Sequence, residues 1–263
     1  MDVVVYIIAG AVVGFTVGFT GVGGGSLMTP LLIFLGVPYH VAIGTDLFYA
    51  AITKSSGMVL HARKKNIEWQ GVLYLAMGSL PASIATAWSL NYVFQDPEQY
   101  QAILTRSLGM MLVLTSLVIV FKRSGSSPSK NDFSDANQQA TLGYKKKLIL
   151  VLSGLFLGVF VTLTSVGAGA LCAALLLWLY PHMPALRVLG TDISHAVPLT
   201  LVAGLGHFFW LGNVDFVLLA YLLLGSLPAI HIAIRLASHV PGHRLQRLLA
   251  FILLIIGVKF ALF

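Results

Sequence analysis

Ten apolar stretches fill this chain, near residues 3–19, 22–36, 41–61, 71–93, 101–121, 147–163, 166–180, 188–211, 216–236 and 246–263, divided from one another by Gly, Pro and charge. A helix needs about 20 residues to cross the hydrocarbon of a bilayer, with roughly 17 as the lower end. Stretches two and seven fall short of that. Each follows a Gly-rich break, so the first pair and the sixth-seventh pair are read as re-entrant hairpins or as two crossings, and either choice leaves every later loop on the same side. The remaining composition agrees: 57% of residues are hydrophobic and 10% charged, against roughly 25% charged in ordinary soluble domains. The expected fold is an all-α polytopic membrane protein. A disordered chain, a disulfide scaffold and a soluble nucleic-acid binder are excluded. Cys172 is the single cysteine, so neither a disulfide nor a thiolate metal cage can be built from this chain. The start, MDVVVYIIAG, lacks a basic segment before its apolar run and is not expected to be a cleaved signal peptide.

Charge sets the orientation. If the polar 122–147 segment is cytoplasmic, counting crossings also places 62–70, 181–187 and 235–247 there, which collects thirteen of the sixteen Lys and Arg on one side. The net charge of +7 is thus a topological signal and no footprint for nucleic acid. The expected localisation is the inner (plasma) membrane with a periplasmic N-terminus. The run 124–141, SGSSPSKNDFSDANQQAT, is the one extended polar region, and composition of this kind forms a linker. The expected organisation is a first transmembrane repeat over 1–123, a cytoplasmic linker over 124–145 and a second repeat over 146–263.

The halves resemble each other. TGVGGGSL at 20–27 matches TSVGAGAL at 164–171, GTD at 44–46 matches GTD at 190–192, NIEW at 66–69 matches NVDF at 213–216, and GSLPA at 78–82 recurs at 225–229. Five stretches per copy is an odd number, so the second copy enters the membrane upside down, and equivalent loops carry opposite charge character: Arg63–Lys65 against the LGNVD loop at 211–215. Inverted repeats with broken helices are a transporter architecture whose substrate sits near the midplane.

Candidate functional residues cluster at the matched motifs. Gly21, Gly23, Gly24 and Gly25 let the backbone bend and approach a ligand, with Gly167 and Gly169 in the second copy. Unwound backbone at this depth must line protein or water, and the helix starts that follow would aim N–H groups at an anion. Thr20, Ser26, Thr164 and Ser165 add hydroxyls. The competing role for these runs is a small-residue packing face. Thr45 with Asp46 and Thr191 with Asp192 stand near the heads of their stretches, where they would either cap a helix or carry a coupling proton. Lys54 is the one cation well inside an apolar stretch, so it is expected to contact a substrate anion or to pair with Asp46. His195, one turn past Asp192, is a candidate proton carrier, anion ligand or hydrogen-bonded core residue. His61 and His207 are expected at the interface, and Pro81 and Pro228 are expected to kink their helices equivalently. Neither a metal site nor a catalytic Ser-His-Asp set can be drawn from these residues.

Taken together, GFTGVGGGSLMTPLL, GTDLFYAAITKSSGMVLH, TLTSVGAGAL and GTDISHAVPLTLVAGLGH followed by GNVD resemble the TauE/SafE family of sulfite and organosulfonate exporters over essentially the whole chain. The resemblance implies an ion-coupled permease for small sulfur-containing anions with the Gly-rich runs and the GTD helices around its pathway; Ala168, where the first copy has Gly24, makes closest approach there less secure. The alternatives are a passive anion channel and an uptake permease for another small organic anion. The expected partners are the anionic substrate, the lipid bilayer and a coupling proton, with homo-oligomerisation compatible. No cofactor and no enzymatic activity are expected.

Overall fold

A computed structural model describes residues 3–20, 25–94, 96–121, 143–236 and 243–262; the 124–142 part of the expected linker lies outside them. Ten helices occur among the described residues: α1 (Val3–Thr20), α2 (Gly25–Phe34), α3 (Tyr39–Arg63), α4 (Trp69–Val93), α5 (Pro97–Phe121), α6 (Tyr144–Thr164), α7 (Ala170–Leu179), α8 (Ala185–Phe209), α9 (Phe216–Leu236) and α10 (His243–Leu262). Five are long and apolar enough to cross a bilayer by length and composition: those over Trp69–Val93, Glu98–Val120, Tyr144–Thr164, Ala185–Phe209 and Phe216–Ala233.

The solvent-facing pattern of a soluble protein is reversed. Leu, Val and Phe cover the outside, with Leu73 58%, Leu152 57%, Leu224 64% and Phe251 61% exposed, while Thr29, Asp46, Ser79, Thr162, His195 and His207 are fully buried. Hydrocarbon supplies no hydrogen bonds, so polar side chains turn inward and satisfy themselves on protein. Helix hydroxyls return to the preceding turn, as in Thr162 to the Gly158 carbonyl (2.7 Å) and Thr200 to the Ala196 carbonyl (2.9 Å).

Close glycine contacts give the helix directions. In α1, Gly10, Gly14 and Gly18 meet Leu222, Ser226 and Ile230 of α9 in ascending order, so the two run parallel; a Cβ at Gly14 would lie 2.7 Å from the Ser226 backbone. The α4/α6 pair is the same seam in the other copy, with Gly154 on Leu75, Gly158 on Ser79, and a 2.8 Å bond from the Thr162 hydroxyl to that of Ser83. By contrast α3 and α8 pass antiparallel, Gly44 meeting His207, Gly204 meeting Phe48, Gly57 meeting Ile193 and Gly190 meeting His61. Gly109 on Ala261 and Gly257 on Val113 make α5 and α10 antiparallel as well. The repeat-equivalent pairs α3/α8 and α5/α10 therefore run in opposite directions.

The same contacts constrain the course of the chain through α7. Thr191, His195 and Gly206 of α8 meet Gly71, Ser79 and Ala87 of α4 in ascending order, so α6 and α8 both run with α4. The 10-residue α7 between them must double back, and at 1.5 Å per residue it extends about 15 Å, half a hydrocarbon thickness. α2, also 10 residues, is its counterpart between α1 and α3.

Candidate functional site

The break between α6 and α7 is built by backbone geometry. Ser165 takes the left-handed conformation at the end of α6 (φ 58°) and Gly167 follows at φ 108°. A side chain at Gly167 would meet only the mobile Met111 methyl at close range, so it is the backbone conformation that calls for glycine there. The Thr164 hydroxyl accepts the Val166 N–H at 3.1 Å, and Thr164, Ser165 and Ala168 are buried while Gly169 is half-buried. The chain resumes as α7 at Ala170, whose first-turn N–H groups have no acceptor within the helix and make that end electropositive. Across this break lies Lys54 of α3: its ammonium donates to the Ala168 carbonyl at 3.5 Å. In the first copy, Gly21, Gly23 and Gly24 and the side chains of Thr20 and Ser26 lie outside the described residues; Gly25 opens α2.

The GTD triplets do not cap helices. Pro38 and Pro184 occupy the N-cap positions of α3 and α8 without side-chain caps, so Asp46 and Asp192 stand a second turn inside. The stretches begin two or three residues earlier than hydropathy suggested, and the two prolines are the signal that marks the true starts. Each residue of the triplet has a separate task. A Cβ on Gly44 would land on the Asn213 carbonyl, and one on Gly190 on the Asn66 carbonyl. The Thr45 hydroxyl accepts the Asp215 N–H at 3.1 Å, and the Thr191 hydroxyl accepts the Glu68 N–H at 2.9 Å. Gly and Thr of each copy thus clasp the NVD or NIE loop of the other copy. The clasp at Glu68 carries in addition its ion pair with Arg187 (2.7 Å), whereas Asp215 instead caps α9 by accepting from Val217 and Leu218 at 2.9 Å.

The carboxylates point inward. Asp46 is fully buried and accepts the Thr29 hydroxyl at 2.5 Å, with Ser165 of the opposite break beside it. Asp192 lies next to Cys172 of α7. The Lys54 ammonium is within electrostatic reach of both, Asp192 more strongly, but no ion pair forms with Asp46: among the described residues Arg187–Glu68 is the ion pair within 4 Å. His195 is fully buried, bonded through Nε2 to Ser79 (2.9 Å), with Nδ1 3.8 Å from the Cys172 sulfur.

His207, in the last turn of α8, is fully buried against protein, and its Nε2 meets the Thr162 carbonyl at 2.9 Å. The antiparallel α3/α8 contact encloses it, whereas His61 stays half-buried. Four participants, Thr29, Tyr49, Ser79 and Cys172, are not evident from the residues alone. Ser79 lies in the matched GSLPA run with Ser226 as its equivalent, and Tyr49 and Cys172 are the repeat equivalents of His195 and Met28, so aligning the copies residue by residue would have pointed to these three.

Chemically, one ammonium, two carboxylates, an imidazole, a thiol and several hydroxyls lie around the break between α6 and α7 and the neighbouring α2, α3 and α8. A family model for "Sulfite exporter TauE/SafE" matches residues 6–260. The chain is similar to the probable membrane transporter protein YjnA of Bacillus subtilis, at 38% identity over 96% of this chain and 97% of the relative. It is also similar to a probable membrane transporter protein of Methanocaldococcus jannaschii, at 25% identity over 96% and 92%, and to YdhB of Bacillus subtilis, at 25% over 87% of each. No solved structure matches. With the family match running nearly end to end and a 38% identical relative covered almost completely, this chain is a multi-pass membrane transporter of the sulfite exporter TauE/SafE family.

Proposed function

We propose that this protein is a secondary permease of the plasma membrane that exports small sulfur-containing anions, such as sulfite or organosulfonates, by alternating access. The observation that carries the reading is Lys54, an ammonium lodged against the Ala168 carbonyl in the break of the opposite repeat. An oxyanion entering there would give Lys54 an anionic acceptor in place of a neutral carbonyl, with the N-terminal end of α7 adding its dipole. Ser165 and Thr164 stand at the same break. Organosulfonates and sulfite share compact, multi-oxygen anionic heads that suit such a donor set.

Asp46 and Asp192 make the centre carry two carboxylates for one ammonium, so an anion is held only if the balance of protons or cations there changes. That coupling is what separates a permease from a passive channel. Counterflow in proteoliposomes with a panel of sulfur anions is the test: sulfite or a sulfonate on the far side should accelerate entry of its labelled counterpart. Lys54→Ala is expected to weaken anion binding by about tenfold or more, the worth of one charge-assisted bond. Unchanged affinity in that variant removes Lys54 from the site. Absence of uphill flux under an imposed ion gradient favours the channel.

A further inference from the structure

Seven cations gather at one end of the molecule. α4, α6 and α8 begin there, α3 ends there with His61 against Gly190, and α7 ends there, its C-cap Tyr180 lying beneath the Lys146 ammonium. That end carries Arg63, Lys64 and Lys65, then Lys145, Lys146 and Lys147, and finally Arg187. Among the described residues the acid at this surface is Glu68, and it is already bound to Arg187 at 2.7 Å. The surplus of positive charge is therefore left for a partner outside the protein.

Within this surface the 145–147 run has a defined geometry. Its three lysines fill the first turn of α6, which holds no acid and whose N-cap Gly143 makes no side-chain cap. Cations at that position oppose the helix dipole, which favours anions there. Lys146 Nζ lies 5.4 Å from the centroid of the Tyr180 ring, and Lys147 Nζ lies 5.3 Å from that of Tyr74 in α4. A ring occupies one face of an ammonium and leaves N–H groups free to donate elsewhere. Neither lysine has an ion pair among the described residues. Two charges are thus held over two different neighbouring helices without an anion between them.

The surface that continues from the lysines is apolar. Leu148, Leu152 and Leu155 are exposed on one face of α6, the spacing of a single helical stripe, and such a stripe meets acyl chains in a bilayer. Tyr144 and Trp178 are exposed close by, as side chains of the membrane–water interface are. An anionic head joined to apolar tails matches both surfaces at once. We infer that Lys146 and Lys147, held on Tyr180 and Tyr74, form a binding site for the phosphate of an anionic glycerophospholipid such as phosphatidylglycerol, its acyl chains lying along Leu148, Leu152 and Leu155. The phosphate compensates the charge that the start of α6 leaves unpaired, and the lipid braces the end of α7 against α4 and α6. The site makes no use of Lys54 or of the transported anion.

The test is thermal unfolding of the purified, delipidated full chain in detergent, titrated with phosphatidylglycerol, phosphatidylcholine or inorganic phosphate, with native mass spectrometry reading the bound lipid. The expected result is a saturable rise in unfolding temperature with phosphatidylglycerol and none with the other two. Lys146→Gln combined with Lys147→Gln should weaken lipid binding about thirtyfold, roughly fivefold for each lysine. Tyr180→Leu should weaken it while keeping both charges, and Arg63→Gln combined with Lys64→Gln should leave it unchanged. If the double lysine variant does not fold, its single changes and Tyr180→Leu carry the test. Equal responses to the two lipids, or undiminished binding in the lysine variants, would overturn the site. An equal loss in the Arg63 and Lys64 variant would reduce it to diffuse charge, and an equal response to inorganic phosphate would overturn its assignment to a lipid.

Discussion

Gly44 and Gly190 allow no side chain, because each lies against a loop carbonyl of the other repeat. Gly44→Ala should therefore lower stability by about 1–3 kcal/mol, the usual cost of forcing a methyl into a packed contact, read as a fall in unfolding temperature in detergent. The neighbouring threonines act differently. Thr45→Val and Thr191→Val keep the shape but leave the Asp215 or Glu68 N–H without its acceptor, a loss of about 1–3 kcal/mol where the group is buried. Because Thr45 and Thr191 already accept loop N–H groups, they hold the repeats together, and the ionisable members of the triplets are the aspartates. None of these partners could be found from residue types. Thr and Asp after a Gly look like a cap in any sequence; the choice of a loop 170 positions away as the partner is made by packing.

At the level of elements, the glycine seams matter most. Gly10, Gly14 and Gly18 on α1 and Gly154 and Gly158 on α6 recur every fourth residue on one helix face, bringing backbones into direct contact with α9 and α4. Such small-residue faces hold helices together in lipid, where the hydrophobic effect does not. Gly14→Leu and Gly158→Leu are each expected to separate their pair, with loss of a single monodisperse species in size-exclusion chromatography, while the same change at exposed Val12 is expected to have little effect. The spacing is present in the sequence but was not singled out there, since an all-apolar helix gives no polar face from which to judge which side meets protein. The half-length of α2 and α7, by contrast, was legible from stretch length and glycine breaks, and the parallel course of α6 and α8 with α4 requires the chain to return between α6 and α8.

For the whole molecule, the two clasps lie at opposite ends of the α3/α8 pair. From Gly44 to His61 the rise along α3 is about 25 Å, so Lys54 lies between a clasp at Thr45–Asp215 and one at Thr191–Glu68. Only the second carries an ion pair, Arg187–Glu68, with side chains 29% and 23% exposed. A part-exposed pair contributes about 0–1 kcal/mol, enough to bias a two-state opening equilibrium by up to about fivefold. Glu68→Gln should thus raise the rate at which a membrane-impermeant thiol reagent reaches buried Cys172 from the membrane face bearing residues 64–68, and not from the other. Equal acceleration from both faces would mean a general loosening.

Hydropathy, chain punctuation and duplication are local properties, so the sequence by itself determined the membrane class, the ten segments, the two short ones and the pairing of the copies. It also singled out Lys54, Asp46, Asp192 and His195 as the groups whose burial needs explanation. What it could not contain is the rotation of each helix about its axis and the identity of the surface it meets. The tertiary structure alone decided that the GTD triplets clasp the opposite copy, that His207 is enclosed, that Lys54 faces Ala168 and not Asp46, and that one carboxylate gathers oxygens while its twin gathers sulfur and nitrogen. Those outcomes depend on through-space contacts between segments more than a hundred residues apart, which no periodicity along the chain encodes.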